Sequence, residues 1–381
     1  MPDPALIAEL RLGGKVYTSW KTVSVRRNFG DSVSVFEFMA AEPTTSDGIL
    51  PAFAAWRIKP GDPCEIRLAG IRVIKGFVTR RQTVLDAKNH TLIILGKSIT
   101  ADAADSSAQL GQYRGYSFAA IAASVLAPFG IQMLVDAAAT AVAKPFKNVV
   151  VQVGETAHEL LARLAMSRGL FLTDNADGNL VAAQMPAGGA KVADLVEGEN
   201  ILRIIATLDD QTLYSKYTAK GQDQGSDNGA PPRQSSATVE NPNVRSSRIN
   251  IFPAEHPGDS LDTAQRADME ARASLWPSVT VTCVVVGWLR PDGQLWQPTD
   301  AVTVKSPSCF PTDVQTMTLG VQSVIWAQSA DFGTTTTLEM VQPGALTTVP
   351  NPGLSGKAPN LLSDPAPDQA RPDAPDNGPS G

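Results

Sequence analysis

Apolar and polar positions alternate through the first hundred residues. "LIAELRLGG" from Leu6 has the period-two pattern of a half-buried strand, and "WKTVSVRRNF" and "DSVSVFEFMA" repeat it on either side of a turn at Gly30-Asp31. "PCEIRLAGIRVIKGFVTRRQTVLD" predicts two further strands about a tight Ala69-Gly70 turn, and "HTLIILGKS" closes the set. Short strands with polar turns at this spacing predict a small barrel or sandwich over residues 1–100. The segment from Asp47 to Trp56 interrupts the strands and is expected as a short helix or loop over one barrel end.

The period then changes. In "SFAAIAASVLAPFGIQM", Phe118, Ile121, Ala122, Val125, Leu126 and Phe129 recur at helical spacing, and Pro128 and Gly130 end the run. A second helix is predicted within "GETAHELLARLAMSRGLFLTDNADGNLV" (154–181), where Thr156 and Glu159 form a T-x-x-E capping box. Ala157, Leu160, Leu161, Leu164 and Ala165 make its apolar stripe; His158, Glu159, Arg163 and Arg168 lie outside the stripe. Gly169 ends the helix, and Asp177-Gly178 predicts a hairpin turn. Residues 101–198 thus read as a small α+β domain.

Strand patterning returns at "NILRIIATLDDQTLYSKYTAKGQ". Residues 222–248, rich in Gly, Pro, Ser and Asn, are expected as a mobile loop, and 260–274 as an inserted helix. "VTVTCVVVGWLR", "AVTVKSP", "QTMTLGVQSVIWAQSA" and "TTTTLEMVQP" complete a second β domain over 199–346. The 347–381 tail, with eight Pro from Pro350 and no aromatic residue, is expected to be disordered. The fold class is therefore mainly β with α+β: two barrel-like β domains around a small α+β domain.

Composition narrows the function classes. The chain has 381 residues, 43% hydrophobic and 18% charged, enough for two or three domains with real cores. A net charge of −6 without a Lys/Arg block argues against a dedicated nucleic-acid surface. Cys64, Cys283 and Cys309 are scattered, unlike a disulfide framework or a zinc site, and read as small buried hydrophobes. "MPDPALIAELRLGG" has no basic n-region or long apolar run, so cytoplasmic synthesis and folding without a Sec signal are expected. The absence of any 18-residue apolar window predicts no transmembrane helix.

Candidate chemistry is sparse. His158-Glu159 begins like a zinc-protease helix, but Ala162 stands where the second imidazole must be. The other histidines, His90 and His256, have no partner at ligand spacing. Asp102 and Asp105 could be an acidic pair but equally fit a helix cap or turn. "GKS" at 96–98 lacks the first glycine of a phosphate loop. Trp288 and Trp296 flank a Pro-Asp-Gly turn, which suits a cross-strand aromatic cluster better than a sugar platform. No catalytic, cofactor-binding or metal-binding residue is assigned, and a non-enzymatic protein is expected.

Two resemblances bear on function. The G-E-T-x-x-x-L-L-A start of the 154–181 unit resembles the LysM peptidoglycan-binding module, which implies glycan binding as the alternative function. The broader resemblance is to the baseplate hub protein of contractile phage tails, the Mu-type tail protein P family. It rests on nine segments in order: "WKTVSVRRN" (20–28), "IKPGDPCEIRL" (58–68), "KGFVTRRQTVLDAKNHTLIILGKSITADAADSSA" (75–108), "FAAIAASVLAPFGI" (118–131), 154–181, "YSKYTAKGQ" (214–222), "RADMEAR" (266–272), "GWLRPDGQLWQP" (287–298) and "TTTTLEMVQPGAL" (334–346). The resemblance implies a homotrimer whose two related barrels per subunit form a pseudo-sixfold ring. Such a hub adapts the sixfold tail tube to the threefold central spike and contacts tube-initiator and other baseplate proteins. It lets DNA through its channel only in transit and has no stable membrane association. It implies a virion tail-baseplate location after assembly in the host cytoplasm. Two readings stand for Arg26, Arg27, Arg80 and Arg81: contacts to neighbours or channel, or ordinary solvated strand charges.

Overall fold

The computed structural model describes residues 3–43, 56–85, 89–135, 145–166, 170–183, 191–222, 234–253, 260–275, 277–310 and 315–343. The expected segment at 47–55 and the 347–381 tail lie outside the described residues. Seven strands form the first β region: β1 (Ala8–Leu12), β2 (Lys15–Tyr17), β3 (Thr22–Asn28), β4 (Val35–Pro43), β5 (Pro63–Leu68), β6 (Ile71–Leu85) and β7 (Asn89–Ser98). They pair antiparallel in the order β3-β4-β7-β6-β5-β1-β2. The alternation in the sequence becomes the two faces of this sheet: Val23, Val25, Phe36, Phe38, Ile66, Leu92 and Ile94 point into one core. Trp56 packs its ring 5.2 Å from Trp20, which meets Phe38 edge-on at 4.9 Å.

Leu68 pairs with Ile71, so Ala69 and Gly70 make a two-residue turn with φ of 51° and 77°. That is the left-handed pair a type I′ hairpin requires, and alanine tolerates it poorly. Ala69→Asn should raise stability by about 0.5–1 kcal/mol, measurable as a higher denaturant midpoint with an unchanged slope.

The middle unit holds α1 (Ala101–Asp105), β8 (Gln112–Tyr113), α2 (Phe118–Leu126), β9 (Met133–Val135), β10 (Val149–Val150), α3 (Ala157–Met166), β11 (Phe171–Asp174) and β12 (Leu180–Ala183). Ser117 caps α2 by accepting the Ala120 N–H at 3.3 Å. Phe118, Ile121, Ala122, Val125 and Leu126 are buried with the α3 stripe in a separate core, and Phe129 packs at its margin. The capping box forms: Glu159 N–H donates to Thr156 Oγ1 at 3.1 Å, and Thr156 N–H to Glu159 Oε2 at 2.8 Å. The expected helix end at Arg168 and Gly169 lies outside the described residues. β11 and β12 form the expected hairpin, with Gly178 at φ 81°.

The remaining elements are β13 (Lys191–Val196), β14 (Arg203–Leu208), β15 (Lys216–Gln222), β16 (Gln234–Glu240), β17 (Ile249–Pro253), α4 (Ser260–Ala273), β18 (Val279–Val286), β19 (Ala301–Lys305), β20 (Thr316–Ser329) and β21 (Gly333–Val341). Two expectations change. β13, placed by sequence in the middle domain, pairs with β19 in the large sheet, where its alternation buries Ala193 and Leu195. Residues 234–240, expected within the 222–248 loop, form β16 against β15. Their small and β-branched side chains suit a strand once α4 covers one face, burying Val239 beside Tyr217, Ala267 and Ala271. Residues 223–233 of that loop lie outside the described set.

The two β regions are one sheet. Hydrogen bonding runs β14-β18-β21-β20-β3-β4-β7-β6-β5-β1-β2 without interruption, because the far half of β20 (Ser323–Ser329) pairs with β3. Residues of both regions belong to one apolar cluster, with Trp288 and Trp326 fully buried in it.

Candidate functional site

The densest polar constellation sits where the middle unit meets the joined β regions. Val23, Val25 and Arg27 share the inward face of β3, so the strand's own alternation drives a guanidinium into the interior. Arg27 is 5% exposed and Asp174, at the end of β11, 4%. Arg27 Nε lies 3.8 Å from Asp174 Oδ1 and Nη1 donates to Gln297 Oε1 at 3.0 Å; Nη2 donates to the Val73 carbonyl. Asp174 accepts the Ser34 hydroxyl at 2.7 Å and the Ser34 N–H at 3.0 Å. Ser34 N–H also reaches Ser98 Oγ, which in turn meets Thr100 Oγ1 at 2.7 Å. Burial lowers the Arg27 pKa, with Asp174 opposing; burial likewise pushes the Asp174 carboxyl above its ordinary range, against Arg27, Ser34 and Ser98. This one cluster ties together β3, β4, β7, β11 and the approach to β19.

The rest of the seam is built the same way. The His158 Nε2 ring atom lies 2.7 Å from Ser32 Oγ, and Thr173 Oγ1 donates to the Asn28 carbonyl at 3.2 Å. Phe29 and Phe171 meet at 5.4 Å, and Arg72 pairs with Asp177 at the hairpin tip. Gly178 is needed there, because a Cβ would overlap the Ile99 side chain. Burial lowers the His158 pKa, against the raising effect of Asp31 and Glu159. A depressed imidazole favours folding while neutral, so its contribution is complete above the ordinary histidine range and fades as pH falls through it. Replacing His158 with Gln should flatten the decline of the thermal midpoint as pH falls below about 6.5.

The other candidates contact neighbouring groups or lie within strands and helices. Glu155, a glutamate of the LysM-like stretch, takes Arg163 Nε at 2.9 Å and Nη2 at 3.0 Å; burial raises its pKa, but Arg163 and the Gln152 N–H outweigh that and hold it low. Thr156, His158 and Glu159 of that stretch are likewise engaged within the chain, in the capping box and against Ser32. Asp105 pairs with Lys97 at 3.1 Å, and Asp102 stands exposed in the first turn of α1. "GKS" lies within β7. Trp288 and Trp296 are 1% and 3% exposed, inside the core on either side of the 290–293 turn, and Trp288 Nε1 donates to the Ala327 carbonyl at 3.2 Å. Burial pushes the Cys64 and Cys283 thiols up to about 12, which leaves them inert. Among the described residues, no group of three or more His, Cys, Asp or Glu could hold a metal, and no helix is long and apolar enough to cross a membrane.

The four arginines separate. Arg27 is buried, Arg81 donates to the Trp56 and Ile58 carbonyls, Arg26 reaches Asn28 and Glu339, and Arg80 is exposed. Asp174 escaped sequence reasoning because "TDNADG" reads as a turn. The available signal was Arg27, a charge at an inward position of an alternating strand, which demands a buried partner.

A continuous sheet and a seam of polar side chains that joins its units define the architecture of the chain. Comparison with known proteins gives its family. Residues 7–98 match the Mu phage baseplate assembly protein GpP-like N-terminal family, and residues 100–184 the second domain of baseplate hub protein gp44-like proteins. The baseplate hub protein gp44 of Escherichia phage Mu is 30% identical over 305 residues, 77% of this chain and 78% of that protein. The 43 kDa tail protein of prophage MuSo2 from Shewanella oneidensis has a TM-score of 0.78 at 28% identity, over 90% of this chain and all of the other. A tail protein from Neisseria meningitidis MC58 shares the fold, with a TM-score of 0.73 at 19% identity over 92% and 99% of the two chains. The chain belongs to the Mu-type baseplate hub family of phage tail proteins.

Proposed function

We propose that this baseplate hub protein acts as a homotrimeric ring that adapts a sixfold tail tube to a threefold spike and leaves a central channel for DNA. The observation that carries the reading is the repeat inside the large sheet. The path β14-β18-β21-β20 is followed by β3-β4-β7-β6, two four-stranded units joined edge to edge. Two similar units per chain, in three chains, supply six similar units around one threefold axis. The role is mechanical, without a chemical step, and its partners are the spike, the tube or tube initiator and other baseplate proteins. Assembly in the host cytoplasm precedes incorporation into the virion tail. Light scattering after size exclusion should give the mass of three chains, and averaged electron micrographs a threefold ring with a central hole. A monomer at every concentration would sink the reading.

A further inference from the structure

The two four-stranded units correspond residue by residue. In each, a long strand carries a bulge opposite its partner: between Val78 and Arg80 of β6 against β7, and between Val321 and Ser323 of β20 against β21. Aligned on that bulge, the near halves each pair with a preceding strand, Pro63 with Phe77 and Ala301 with Gly320. The buried series Phe36, Phe38, Ala40 of β4 falls on Val281, Cys283, Val285 of β18, each in register with the strand beside it. β3 correspondingly falls on β14, since Val25 lies opposite Phe36 and Ala206 opposite Val281.

The correspondence fails at one place. The far half of β20 pairs with β3, Ser323 opposite Asn28 through Ser329 opposite Thr22. The equivalent segments, Arg80–Leu85 of β6 and Arg203–Asp209 in and after β14, have no such partner among the described residues; β6 has only β7 there and β14 only β18. Both edges expose apolar side chains: Val84 is 44% exposed, Leu85 64% and Ile205 47%. Unpaired apolar edges of this kind are templates for strand addition. The two edges lie seven strand spacings apart along the ribbon, roughly 33 Å at the usual spacing, so each is placed to meet another chain.

We propose that β6 of one copy pairs antiparallel with β14 of the next, in the register that β20 and β3 use within each chain. This rests on the self-assembly proposed above and assigns its interface. Carrying the internal register across sets Arg80 opposite Asp209, Val84 opposite Ile205 and Leu85 opposite Ile204. Charge thus meets opposite charge and exposed aliphatic meets aliphatic. Arg80 is exposed, and Asp209 engages the Gln211 N–H through Oδ1 alone among the described contacts, leaving Oδ2 for the guanidinium. The contact joins unlike surfaces, so it propagates head to tail and closes as a ring.

Disulfide trapping tests the register. With Cys309→Ser in the background, Val84→Cys and Ile205→Cys variants mixed and mildly oxidised should give a covalent dimer, because directly opposed Cβ atoms lie within disulfide reach. Val84→Cys with Ala206→Cys, whose side chains face opposite sides of the sheet, should not. Arg80→Asp and Asp209→Arg should each weaken self-association several-fold, and together restore it. A ring that forms without the Val84–Ile205 bond and ignores both charge reversals overturns the pairing while leaving self-assembly standing. A chain that stays monomeric overturns the assembly reading and the pairing with it.

Discussion

Asp174→Ala should cost about 3–5 kcal/mol of unfolding free energy, the usual result of leaving a buried charge uncompensated. Arg27 cannot escape by losing its proton, because guanidinium stays charged in proteins. Among the described residues it would keep Gln297, the Val73 carbonyl and Ser34 as neutral partners. Arg27→Met should cost less, about 2 kcal/mol, because Asp174 can protonate and keep its serine hydrogen bonds. Combining Arg27→Met with Asp174→Leu should cost less than the sum of the single changes, since the two groups share one cluster. Chemical denaturation of the four proteins gives the coupling, and single losses under about 1 kcal/mol would show that the Arg27–Asp174 pair does not hold the units together. Hydrogen exchange adds a spatial readout. The middle unit has its own core, so loss of Asp174 should raise exchange in β11 and β12 before the strands of the large sheet respond.

Gly96→Ala should be the next most damaging change, at about 3 kcal/mol or more, the upper end of overpacking costs. A Cβ at Gly96 would overlap both the Phe36 ring and the Phe77 carbonyl oxygen. The ring could turn aside; the carbonyl belongs to the β6 ladder and cannot. Gly76→Ala should behave alike, since its Cβ would overlap the Lys97 carbonyl across the same strand pair. Adding Phe36→Leu to Gly96→Ala should recover only part of the loss, and full recovery would show that the backbone had room to yield. Thermal midpoints and yields of soluble protein measure both.

Local patterns proved sufficient for local structure. Period-two alternation located β3 to β7 and β18 to β21, and helical stripes located α2 and α3, because burial on one side of a strand or helix writes its period directly into neighbouring residues. The capping box and the Ala69-Gly70 and Asp177-Gly178 turns were equally legible, since their partners lie within a few residues of one another. The β16 strand was less so. "QSSATVE" is polar and small-residued, and it becomes a strand through pairing with β15 and cover from α4.

What the sequence determined alone was most of the longer strands and helices, their inward faces, and the alanine at position 162 where a zinc-protease helix needs its second histidine. Only the tertiary structure decided that β20 would pair with β3, some three hundred positions away in the chain, and that β13 would join β19. It alone gave the inward Arg27 its Asp174 and His158 its contact with Ser32. The physical reason is range. Propensity and periodicity act over a few residues, whereas strand pairing and buried charge are settled by whatever distant segment can satisfy a backbone edge or a desolvated group.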